Sequence, residues 1–245
     1  DYSNALTALN MCLDGVNDME PATWYNYADI DYTWKGGTRN YSFYRSYQSD
    51  LKLNNEVFRS LAYSVSDFSS YRNAPLAYMK QSYLDLFSEN DYRKNFFTDN
   101  PTGSVQYPGL MPKGRGNINM GCDLPGLYLM LAECEARVGS EANARNYLLT
   151  VRGNRMPASE AVIPASVTSR DNLIQFVVEE RWREYMGTGF NWFDMRRLWN
   201  DPLFADQKEA YSHTDAQGTY LPTWDRLAMR IPGTVMKYHT DWENN

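Results

Sequence analysis

Apolar residues recur at three- and four-residue steps through Leu173, Ile174, Val177, Val178, Trp182, Tyr185 and Met186, a spacing that predicts a helix with one apolar stripe. Glu180, Arg183 and Glu184 fall beside that stripe, and Gly187 and Gly189 are positioned to stop the helix. A second short helix is expected over 191–199, ending before Asp201-Pro202 and presenting Trp192, Met195 and Trp199 to the first. The acids and arginines of this stretch are therefore expected to pair across a helical hairpin spanning 168–199. Upstream, 124–157 reads as a helix, a break at Gly139 and another helix. Ala5, Leu9 and Cys12 place a further helix over 1–13. The segments 14–55, 98–123 and 200–245 lack either period and are punctuated by Pro, Gly, Asn and Ser, so they read as long irregular loops. The expected architecture is mainly α, with paired helices carrying those loops.

Tyr128, Leu131, Ala132, Ala144 and Leu148 occupy tetratricopeptide spacing, in which small residues let two antiparallel helices approach closely. Glu135 and Val151 depart from that consensus, which prefers Tyr and Ala. The helix at 1–13 has the spacing of a repeat's second helix with no first helix before it.

The stretch around Glu180 resembles the C-terminal signature of SusD/RagB-like nutrient-binding lipoproteins. That signature runs E-R-x-x-E-L/F, a short gap, then E-G-x-R-W/F-x-D-L-x-R. Glu180-Arg181, Glu184-Tyr185, Gly189, Trp192, Asp194-Met195 and Arg197 match it. Thr188 and Asn191 stand where the family carries Glu and Arg; both charges are lost together, so neither leaves a buried partner unpaired. Weaker matches follow in order at Asn55-Glu56-Val57, Asp91-Tyr92-Arg93, Val151-Arg152 and Ile231-Pro232. The resemblance implies a SusD-like fold with tetratricopeptide-type helix pairs. It also implies that these 245 residues correspond to the C-terminal half of a longer protein, a complete small protein being the competing reading. Within that frame, 1–13 is the second helix of a truncated repeat and 14–123 the loop-rich ligand region. The segment 124–157 is the tetratricopeptide-like pair, and 200–245 is an irregular C-terminal stretch.

Composition narrows the classes. A 43% hydrophobic content with a mean hydropathy of -0.61 indicates a globular chain, and no apolar run approaches the ~20 residues of a membrane span. A net charge of -6 argues against nucleic acid, which needs clustered, uncompensated Lys and Arg. Cys12, Cys122 and Cys134 show no C-x-x-C spacing, although a Cys122–Cys134 bridge remains open. Residues 112–117 are glycine-rich without the G-K-[ST] of a phosphate cradle. Asp29 and Asp31 lack a calcium-loop framework, and His213 and His239 stand apart, so no metal or cofactor is expected.

Aromatic residues concentrate at Trp24, Tyr25, Tyr27, Tyr32, Trp34, Tyr41 and Tyr44, with Gly36-Gly37 as a turn between extended segments. Such rings suit stacking on pyranose C–H faces or on peptide side chains, or they pack the underside of an irregular region. Asn26, Asp29, Asp31, Lys35, Arg39 and Asn40 supply polar groups nearby.

A glycosidase would need two carboxylates, such as Glu180 and Asp194, one of them protonated. Their arginine neighbours should hold them ionised, and no catalytic residue is expected. Glu180, Arg181, Glu184, Trp192, Asp194 and Arg197 are taken as structural. The resemblance instead implies non-catalytic capture of an oligosaccharide, or in some relatives a peptide. It further implies a SusC-like TonB-dependent transporter as partner and a surface location on the outer membrane of Bacteroidota, through an N-terminal lipid anchor outside this chain. A tetratricopeptide protein scaffold is a third reading, but a groove needs three or more repeats.

Overall fold

The computed structural model describes residues 1–18, 22–29, 56–59, 62–64, 80–98, 111–112, 117–119, 121–215, 217–228, 230–239 and 241–243. It is mainly helical and divides into two compact units, Asp1–Gly187 and Thr188–Asn245. Four helices dominate the first unit: α1 (Tyr2–Asp18), α2 (Leu124–Val138), α3 (Glu141–Gly153) and α4 (Arg170–Glu184).

Local sequence sets where these helices begin. Asp123 caps α2, its Oδ1 accepting from the Gly126 amide at 2.9 Å, and Pro125 lies in the first turn where a missing N–H costs nothing. Ser140 caps α3 and Ser169 caps α4 in the same way. Between α2 and α3, Ala132, Ala136 and Ala144 are wholly buried, so the small side chains do bring the two helices together around Leu131, Leu148 and Val151. Glu135, which departs from the repeat consensus, has a use of its own. Its Oε2 accepts from the Ser140 amide at 2.7 Å and its Oε1 from Asn143 Nδ2 at 3.1 Å, closing the turn of the hairpin.

Helix α1 extends to Asp18, past the expected end at 13, and packs on α2 with its apolar side half-buried. Helix α4 departs from the single-stripe expectation. Leu173, Val177, Val178 and Trp182 are buried as expected, but so are Phe176, Glu180 and Arg183, which lie off that stripe.

The expected loop at 98–123 is partly paired. Phe97–Thr98 pairs with Met111–Pro112, Ala62–Ser64 with Asn117–Asn119, and Val57–Arg59 with Cys122–Asp123, all antiparallel. Residues 113–116 of the glycine-rich stretch lie outside the described residues. Cys122 is exposed on its strand, Cys134 is buried within α2, and all three cysteines are thiols, so the Cys122–Cys134 bridge is not formed.

Gly187 and Gly189 adopt positive φ values of 74° and 91°, the left-handed conformation that ends a helix and that a side chain would strain. The second unit begins with helix α5 (Phe190–Leu198), close to the expected 191–199. The stretch after it is more ordered than expected. A 3-10 helix at Pro202–Tyr211 is followed by a ladder of His213–Asp215 with Gly218–Tyr220 and two further helical turns. Met195, Leu198, Phe204 and Leu227 are buried within this unit. Among the described residues no helix is long and apolar enough to cross a membrane.

Candidate functional site

Trp24, Tyr25 and Tyr27 lie on a short segment fastened through its backbone. The Tyr25 amide donates to Glu56 Oε1 at 2.8 Å, its carbonyl accepts from Arg155 Nη1 at 3.0 Å, and the Tyr27 amide donates to the Asn154 carbonyl at 2.9 Å. Asn26 then closes a one-turn 3-10 helix at Tyr27–Asp29 by accepting from the Ala28 amide.

The rings gather on the α2–α3 pair. Trp24 meets Tyr128 of α2 edge to face at 5.0 Å, and Tyr128 meets Tyr147 of α3 in the same way at 5.4 Å. Tyr25 and Tyr27 sit 6.2 Å apart, and the Arg155 guanidinium lies 4.0 Å from the Tyr27 ring and 5.8 Å from Trp24. All five rings are half-buried, each retaining surface open to solvent. The structure therefore unites three of the expected ligand residues with two that the sequence reading did not assign to a site. Tyr128 read as a repeat-packing position, and Tyr147 carried no signal because its neighbours lie on other elements. Tyr32, Trp34, Tyr41 and Tyr44 lie outside the described residues, as do Asp31, Lys35, Arg39 and Asn40.

Beneath the rings lies a buried ion network. Arg155, wholly enclosed, donates through Nε to both oxygens of Glu184 at 3.0 Å and forks onto Glu56 at 3.0 and 2.8 Å. Arg93 forks onto Asp91 at 2.9 and 2.7 Å and also reaches Glu180 at 2.6 Å and Glu184 at 3.0 Å. Glu180 accepts in addition from Arg152 at 2.5 Å and from Arg183 at 2.9 Å. The signature acids Glu180 and Glu184 thus take these cations from 93, 152 and 155 as well as from their own helix. The expectation was a pairing across the helical hairpin; Glu180 and Glu184 instead draw on arginines of other elements.

Burial alone would raise the Glu180 carboxyl, but Arg93, Arg183 and Arg152 outweigh it and hold it well below the ordinary carboxylate range. Glu56 goes the other way: burial prevails over its Arg155 partner and raises it. Asp123 is likewise raised by burial, against the pull of a 2.6 Å hydrogen bond from the Tyr185 hydroxyl.

The remaining signature residues are also engaged. The Arg181 guanidinium stands 5.1 Å from the Tyr185 ring. In the second unit Trp192 is half-buried, and the buried Asp194 accepts from Arg197 Nε at 2.8 Å.

A cavity of about 550 Å³ lies elsewhere in the first unit, with Asp85, Glu89 and Lys94 at its rim over Leu84, Phe87 and Phe97. Its two phenylalanines are only 7% and 6% exposed, so they offer little ring face for stacking. The aromatic cluster is the better candidate surface.

The fold has close counterparts. Surface glycan-binding protein A from Bacteroides uniformis superposes with a TM-score of 0.62 at 15% identity, covering 100% of this chain and 58% of that one. A SusD superfamily protein from Bacteroides thetaiotaomicron superposes with a TM-score of 0.61 at 14% identity, covering 100% and 56%. The chain thus spans less than two thirds of the length of these structures. No curated protein matches it in sequence. The SusD family profile matches residues 31–239, most of the length, and the chain belongs to the SusD family.

Proposed function

We propose that this chain captures an oligosaccharide at the cell surface without chemically altering it, as part of a nutrient-uptake protein. The observation that carries this reading is the half-buried aromatic cluster in which Trp24 and Tyr27, on a backbone fastened by hydrogen bonds, join Tyr128 of α2 and Tyr147 of α3. Aromatic rings held in place offer flat apolar area to the C–H faces of a pyranose at little entropic cost. Asn26 and Asp29 are exposed on the same segment and can serve sugar hydroxyls. Family membership supports the same role, as does the glycan-binding name of one structural counterpart.

Glu180 does not suit the acid of a glycosidase. Glu180 is locked in its ionised form among arginines and has no proton to deliver to a leaving group. Capture would be followed by handover to a SusC-like TonB-dependent transporter in the outer membrane, with a lipid anchor outside this chain holding the protein there. Recovery of a stoichiometric barrel protein on mild detergent extraction would support that partnership.

The ligand assignment is tested by calorimetric titration with maltohexaose, cellohexaose, xylohexaose and mannohexaose. One of these should bind, and Trp24→Ala and Tyr27→Ala should each weaken it by roughly tenfold or more, in line with the loss of a buried aromatic contact. Unchanged affinity in both variants would remove the cluster as the site. Silence across the sugars with binding to a peptide library would replace the ligand class with peptides.

A further inference from the structure

We propose that Arg155 is a positioning residue for the aromatic cluster: enclosed beyond the reach of a ligand, it fixes the orientation of Tyr27 and Trp24 and so sets the affinity of the surface they form. The proposal rests on the reading of that cluster as the ligand site.

Arg155 is held along two edges of its plane. Nε engages both oxygens of Glu184, while Nη1 and Nη2 fork onto Glu56. A guanidinium gripped at two edges has a fixed plane, and here that plane brings the cation 4.0 Å from the Tyr27 ring. The same residues clamp the backbone. Arg155 Nη1 donates to the Tyr25 carbonyl, Glu56 Oε1 accepts from the Tyr25 amide, and Asn154, the neighbour of Arg155 in the chain, accepts from the Tyr27 amide. Three ties on a segment of three residues therefore converge on Arg155, its ion-pair partner and its chain neighbour. Through Glu184 the assembly is anchored in turn to Arg93. A lysine would preserve the charge but could neither fork onto Glu56 while reaching Glu184 nor present a flat face to Tyr27.

The test compares hydrogen exchange and hexasaccharide titration in the wild-type chain, Arg155→Lys, Glu56→Gln, Tyr27→Leu and Trp24→Ala. Glu56→Gln keeps the volume of the second half of the clamp and carries the test if Arg155→Lys does not fold. Amide exchange across 22–29 should quicken by about tenfold or more in Arg155→Lys and Glu56→Gln, while α2 and α3 keep their protection. Affinity for the bound hexasaccharide should fall by roughly tenfold in the same two variants, as expected when the planar cation beside the Tyr27 ring is replaced or loses its fixed placement. A merely structural role would loosen α2 and α3 together with the segment, and that pattern would overturn the proposal. So would unchanged exchange across 22–29, whether or not any of the four sugars binds. If Tyr27→Leu abolishes sugar binding and Arg155→Lys leaves it intact, positioning fails while the ligand site stands. If Tyr27→Leu and Trp24→Ala both bind as wild type, the ligand site fails instead, and the affinity claim for Arg155 falls with it.

Discussion

Glu180 gathers three cations onto one buried carboxylate. It is fully buried and accepts from Arg93, Arg152 and Arg183. Replacing it with Gln leaves those cations short of a counter-charge, and the expected loss is about 3–5 kcal/mol, measurable by chemical denaturation. Its effect on pH dependence has a definite sign. The folded value lies below the ordinary 4.5, so its stabilisation is present above that pH and is lost as pH falls further. Glu56 and Asp123 have folded values above their ordinary 4.5 and 3.8, so their contribution is present at lower pH and fades as pH rises through the folded values. Acid titration of stability should therefore show a shallower decline below about pH 4.5 in Glu180→Gln than in the wild type. An equally steep decline would mean that another carboxylate dominates. The sequence offered Glu180 and Glu184 through the signature. Glu56, Asp91 and Arg93 stood only in its weakest matches, yet these residues complete the network. Arg93 reaches Glu180 across 87 residues and Glu56 meets Arg155 across 99, pairings that local periodicity cannot show.

At the scale of elements, the α2–α3 pair behaves as its spacing predicts, and its core is tight. Leu148→Ala should cost about 2–5 kcal/mol, since a wholly buried leucine leaves a cavity that helices at close approach cannot collapse into. Gly126→Ala is a sharper probe. Alanine normally favours a helix by about 1 kcal/mol over glycine, but a Cβ at 126 would fall on the Tyr185 hydroxyl and on Asp123 Oδ1. The contact between Tyr185 and the cap of α2 would have to open, and we expect a net destabilisation of about 1–3 kcal/mol in thermal melts, the usual cost of overpacking. A stabilised variant would show that this contact contributes little. The helices were legible because their period is local. The strands were not: two- and three-residue ladders joining 62–64 to 117–119 have no period to read, and their registry is set by tertiary contacts. The buried polar face of α4 was missed for a related reason. Charged residues beside an apolar stripe ordinarily mean solvent, and only arginines from other elements make their burial tolerable.

Taken whole, the molecule is uneven. The first unit buries long runs of Leu, Ala and Val along α2, α3 and α4, whereas the second buries Met195, Leu198, Phe204 and Leu227 and leaves Tyr220, Leu221, Trp224 and Tyr238 exposed. Native-state hydrogen exchange should therefore release 188–243 before 124–184. Uniform protection across Gly187 would contradict that ordering. The aromatic density at 24–27 was legible, but the joining of Trp24 to Tyr128 and Tyr147 depended on helices bringing distant residues together. The perpendicular rings of Trp24, Tyr128 and Tyr147 also have an optical consequence. Phenols this close to an indole pass absorbed ultraviolet energy to it before they can emit, so tyrosine excitation emerges as tryptophan light. Detachment of the segment from the helix pair would lengthen the Trp24–Tyr128 separation and weaken that transfer, so the tyrosine share of the emission follows whether the cluster is assembled.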